Sequence, residues 1–169
     1  MTKAEAFLRQ ARADLALFDA ISNLADDRVL DCHRLQVLQM AVEKLAKAFL
    51  YNADPDADYG HATVRRMINV LRTGSVGRAA GYRTFDRYAA FLRGATPILA
   101  RIESVAPAVS AHNAEYPHQR DAANASSWIA PCENPPAIVS DLLRGGKGPS
   151  VLHFVRVIAD RAEEILLAT

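Results

Sequence analysis

Apolar residues recur along most of this chain at the three- and four-residue spacing of a helix face. Thr2-Lys3-Ala4-Glu5 reads as a capping box, with Thr2 as cap and Glu5 three residues on. Phe7, Leu8, Ala11, Leu15, Phe18, Ile21 and Ala25 then follow the helical period and predict a first helix over residues 2–25. Asp26-Asp27 reads as a turn. A second helix is expected over residues 29–51. There Leu35, Leu38, Ala41, Val42, Leu45, Ala46, Ala48 and Phe49 belong to an apolar set that nearly encircles the wheel. Such a helix has to be covered on several sides, so it is expected at the centre. A narrow polar stripe survives on it, Gln36, Gln39, Glu43 and Lys47, with His33 one turn earlier. Glu43 precedes Lys47 by four residues, the favourable order for an ion pair on a helix.

Residues 52–60 read as a loop, rich in Asp with one Pro and a closing Gly. Val64, Met67, Ile68 and Leu71 predict a third helix over residues 62–72, closed by residues 73–77 with Gly74 as its C-cap. Tyr82, Phe85, Tyr88, Ala89 and Leu92 predict a shorter helix over residues 82–92 that Gly94 ends. Thr96-Pro97, a cap followed by proline at the first helical position, opens the next, which is expected to run to residue 113 with Pro107 as a kink or a later start. Residues 114–150 gather five prolines and three glycines and read as a long irregular segment. Within it residues 127–130 and 137–140 read as short strands or ordered loop. Gly148-Pro149-Ser150 caps a last helix that carries Val151, Phe154, Val155, Ile158, Ala162, Ile165 and Leu166 to the end. The expected fold is therefore all-α: a single domain over residues 1–169, built as a bundle of about five helices with a Pro/Gly-rich loop before the last.

Composition narrows the class without naming a function. Half of the 169 residues are apolar and 23% are charged, which excludes an intrinsically disordered chain. No apolar run approaches the ~20 residues of a membrane span, and no signal-peptide core follows Met1, so a cytoplasmic protein without membrane contact is expected. A net charge of +1 offers no global attraction to nucleic acid, leaving only a local patch. Cys32 and Cys132 match no zinc or redox spacing.

Three segments are specific in residue type. Ala13-Asp14-Leu15 lies mid-way along the first helix. Gln39-Met-Ala-Val-Glu43-Lys44-Leu-Ala-Lys47-Ala-Phe-Leu50 lies on the second. Gly60-His61-Ala-Thr-Val-Arg-Arg-Met-Ile68 opens the third. In this order they resemble the HEPN superfamily, best over residues 4–72. Asn113-Ala-Glu115-Tyr116-Pro117 and Ala130-Pro131-Cys-Glu133 are similar to a C-terminal extension of some bacterial HEPN-like proteins. The resemblance implies an up-and-down helical bundle, often a homodimer, and no cofactor. Many members accompany a separately encoded nucleotidyltransferase. Others are metal-independent endoribonucleases of toxin–antitoxin or phage-defence systems. The catalytic members carry an Arg, four to six residues, and a His near the start of a late helix. The histidine moves a proton at the RNA 2′-hydroxyl or leaving oxygen while the arginine stabilises phosphate charge.

Here the late helices lack that spacing, since Arg101 stands eleven positions before His112. Arg28 and His33 do have four residues between them, but at the junction of the first two helices. They are the only candidate catalytic pair, and one such pair arises readily by chance among so many arginines. The binding candidates are the stripe Gln36, Gln39, Glu43 and Lys47, together with Arg83 and Arg87. The stripe reads either as a solvated face with one weak ion pair or as a polar seam facing a groove. Arg83 and Arg87, four apart, are expected on one helical face among Tyr82, Phe85, Tyr88 and Phe91, where arginine can hold phosphate and aromatic rings can stack bases. The plainer reading is the wet side of an amphipathic helix.

His112, Glu115 and His118 form a loose trio without a fourth ligand, so no metal is expected. Residues 144–150 precede a helix start but lack the order of a phosphate-binding P-loop. The function expected is a non-catalytic HEPN-like binding or assembly module for RNA, nucleotide or a protein partner. The alternatives are the endoribonuclease and the nucleotidyltransferase partner.

Overall fold

The computed structural model describes residues 1–24, 29–106, 118–119, 128–131 and 146–167, for 118–119 and 128–129 the backbone alone. The described chain is mostly helical: α1 (Lys3–Ser22), α2 (Asp31–Ala53), α3 (Val64–Leu71), α4 (Gly74–Ala79), α5 (Phe85–Glu103), α6 (Gly148–Asp160) and α7 (Ala162–Leu166). That is two more helices than the roughly five expected. β1 (His118–Gln119) and β2 (Trp128–Ile129) pair antiparallel, His118 opposite Ile129. The second strand therefore falls inside the expected 127–130 segment. The Asp26-Asp27 turn, the 137–140 segment, Pro107 and Cys132 lie outside the described residues.

α1 begins as its sequence dictates. Thr2 N–H donates to Glu5 Oε2 at 2.7 Å, and Glu5 N–H donates to Thr2 Oγ1 at 3.1 Å. At the other end Arg34, from α2, reaches back to the carbonyls of Ile21 and Leu24. α2 packs against α1, α3 and α5, and α6 against α1 and α5. Leu38, Ala41, Val42, Leu45, Ala46, Ala48 and Phe49 of α2 are each buried, so this helix does lie at the centre.

Three local expectations give way. Residues 73–77 do not merely close α3. They begin α4, because the Thr73 hydroxyl accepts from Val76 N–H and caps a new helix. Gly94 does not end a helix, nor does Pro97 open one: α5 runs through both. Its buried row Tyr88, Leu92, Ala95, Leu99 and Ile102 continues without a break, and burying that row outweighs the local breakers. Pro97 is exposed, and the Thr96 hydroxyl donates to the Leu92 carbonyl at 2.7 Å beside the break in the backbone ladder. The last helix is not continuous but parts at Arg161, whose guanidinium donates to the Ala79 carbonyl at the end of α4. Its cap is Lys147, one residue before the glycine expected there.

Candidate functional site

The polar stripe on α2 closes upon itself. Glu43 carries a carboxylate only 13% exposed, and it accepts from Lys47 Nζ at 2.8 Å and from Gln39 Nε2 at 2.9 Å. His61, in the connection before α3, brings Nδ1 to 3.1 Å from the same carboxylate. An ionised carboxylate only accepts, so His61 Nδ1 carries the proton in this contact. Burial pushes the Glu43 carboxyl up, but the hydrogen bonds from Lys47, His61 and Gln39 outweigh it and hold the group below its ordinary value. Gln36, one turn earlier, is half-buried and makes no side-chain hydrogen bond among the described residues.

Aromatic rings continue this corner. Phe7 of α1 stacks on Tyr51 of α2 with centroids 5.3 Å apart, and Tyr59 meets Tyr51 edge-on at 4.9 Å. Lys3 Nζ sits 3.7 Å above the Tyr51 ring, and Arg66 5.8 Å from that of Tyr59. A neighbouring pair joins α1 to α2: Lys44 Nζ donates to the buried Asp14 carboxylate at 2.6 Å, supported by Gln10 at 2.9 Å. The three sequence segments singled out above thus meet through Asp14–Lys44 and Glu43–His61.

The candidate catalytic pair fares differently. Arg28 lies outside the described residues. His33 Nδ1 accepts from Leu30 N–H at 3.3 Å, a bond that closes the first turn of α2. Of the metal trio, His112 and Glu115 are outside the described residues, and His118 is described by its backbone alone. Among the described residues no three potential metal ligands cluster.

Arg83 and Arg87 do not share a helical face. Arg83 precedes the Thr84 cap, while Arg87 lies in the first turn of α5 and its N–H donates to the Thr84 hydroxyl. Both are exposed and have no ion-pair partner among the described residues. Phe85 between them is 50% exposed. Among the described residues no hydrogen bond or ion pair links this region to the α2 stripe. Tyr82 and Phe91 instead lean toward α6, where they wall a cleft of 440 Å³ with Phe154. Sequence spacing missed this cleft because its walls come from segments far apart in the chain. A larger cleft of 690 Å³ lies between α1 and α7, and most of its polar groups, Arg9 apart, are already engaged. Glu5 serves the Thr2 cap, and Arg12 holds Glu163 through two bonds of 2.6 Å while donating to the Ala159 and Asp160 carbonyls.

No family model, curated protein or solved structure matches the chain. The functional reading therefore stands on these residues and their geometry.

Proposed function

We propose that the chain is a HEPN-like, non-catalytic binding module of the cytoplasm that engages RNA as a homodimer. The observation that carries this reading is the pair Arg83 and Arg87, exposed and unpaired among the described residues, flanking the half-exposed Phe85. A guanidinium with no internal acid is available to phosphate, and an uncovered ring beside it suits an unstacked base. The stripe on α2 supports a structural part for Glu43, since its carboxylate is already occupied from three sides. The engagement of His33 in the α2 cap favours the non-catalytic reading over the endoribonuclease.

The test is fluorescence anisotropy with a labelled single-stranded RNA across a salt series, with chelator present and the RNA recovered intact at the end. Binding that weakens steeply with salt is expected, because phosphate contacts release counterions. Cleavage abolished by both Arg28→Ala and His33→Ala would establish the endoribonuclease instead. Light scattering at micromolar concentration reads the dimer, and a monomer there removes that part of the reading.

A further inference from the structure

The cleft between α5 and α6 combines one apolar wall with a few convergent polar groups. Phe91 lies 5.5 Å from Tyr82 and 4.9 Å from Phe154 between ring centroids, so the three rings form a continuous surface. At its edge stand Ser150 and His153 of α6, both exposed and without a hydrogen-bond partner among the described residues. Cations stand along the α5 side. Arg87 is one turn before Phe91 on the same helical face. Three residues after Phe91 comes Gly94, where a Cβ would lie 3.3 Å from Lys147 Nζ, so the bare glycine admits that ammonium against the helix. Asp86 is exposed in the same first turn as Arg87. The volume of 440 Å³ falls within the ~300–1,000 Å³ of small-ligand sites and suits one nucleotide.

We propose that this cleft receives a single unpaired nucleobase, stacked on Tyr82 and Phe91, with the adjoining phosphates on Arg87 and Lys147. Ser150 and His153 meet the edge of the base. The assignment rests on the RNA-binding reading above and gives that reading its site. It also sets the form of the ligand. A base inside a duplex has both faces covered, so only single-stranded RNA can offer one to the rings. Stacking on a ring tolerates any base, so affinity is expected to depend little on sequence.

The experiment compares an eight-nucleotide single-stranded RNA with the same sequence as a duplex, at ~50 mM salt. It uses the parent chain, Phe91→Leu, Arg87→Gln and His153→Ala, with Arg9→Gln as an exposed control away from the cleft. The exposed His153 and Arg87 positions leave the core untouched, and thermal unfolding checks Phe91→Leu. Phe91→Leu and Arg87→Gln should each weaken single-strand binding about tenfold, the size of a lost stacking or phosphate contact. His153→Ala should weaken it less, Arg9→Gln not at all, and the duplex should bind more weakly than the single strand. RNA binding weakened by Arg87→Gln but not by Phe91→Leu or His153→Ala overturns the cleft assignment and leaves the RNA-binding reading intact on its arginine pair, whereas binding indifferent to Arg87→Gln as well counts against both. A duplex bound as tightly as the single strand overturns the unpaired-base claim. No binding of either RNA at low salt overturns the RNA-binding reading and the cleft assignment with it.

Discussion

The Tyr88 hydroxyl donates to the Leu71 carbonyl at 2.8 Å, inside the core. The bond ties the start of α5 to the last turn of α3 and adds a second donor to a carbonyl that also accepts from Thr73 N–H at 2.8 Å. Burial, with a smaller contribution from Tyr82, pushes the phenol far above its ordinary pKa, so it remains a donor into strongly alkaline solution. Tyr88→Phe keeps the ring and removes this bond, leaving the carbonyl with Thr73 N–H as its donor. It should cost about 0.5–1.5 kcal/mol in urea unfolding. An unchanged midpoint would show that the Thr73 N–H alone suffices for this carbonyl.

The same ring dictates a glycine. A Cβ at Gly77 would stand 2.8 Å from Tyr88 Cδ1, closer than packed atoms allow. Gly77→Ala is therefore expected to destabilise by about 1–3 kcal/mol despite its better helix propensity. Combined with Tyr88→Leu, the two losses should sum to less than their separate values. Strict additivity would mean the clash is relieved elsewhere.

Leu45 is 1% exposed on the central helix. Its truncation to alanine removes contacts on several sides at once and should cost ~2–5 kcal/mol by chemical denaturation. A loss below that range would mean α2 repacks around the cavity.

Glu43→Gln tests the hub on α2. The folded-state pKa of Glu43 lies below its ordinary value of 4.5, so its contribution to stability is complete above that pH and disappears as pH falls through the lowered value. At pH 7 the variant should be less stable by about 1.5–3 kcal/mol, the range for hydrogen bonds to a charged group. The gap should close progressively below pH 4.5. A gap of equal size at pH 3 and pH 7 would assign the loss to packing instead.

The first three long-standing signals of a helix, period, cap and ion-pair order, made α1, α2 and the Glu43–Lys47 pair readable in advance. Each depends on residues within a turn or two of one another. His61 stood in a recognisable segment, yet its partner sits eighteen residues away on another helix, beyond any periodicity. α5 was cut in two because Gly94 and Pro97 are strong local breakers. The row from Tyr88 to Ile102 was nevertheless present in the sequence and outweighs them. The break at Arg161 depends on a carbonyl eighty-two residues earlier, which no window along the chain contains. The α5–α6 cleft was hidden for the same reason, its walls being joined only by tertiary packing.

Glu103, the last residue of α5, accepts from the backbone N–H groups of Thr63 and Val64 at the first turn of α3. The Thr63 side chain makes no cap of its own, and its buried hydroxyl has no partner among the described residues. An eight-residue helix is too short to persist alone in water, where helices under ~12–15 residues are marginal. Its opening donors are met by a carboxylate some forty positions downstream. α3 therefore draws its stability from its tertiary partners, α2 and the far end of α5, and its first turn is completed by a residue that only the folded chain brings near.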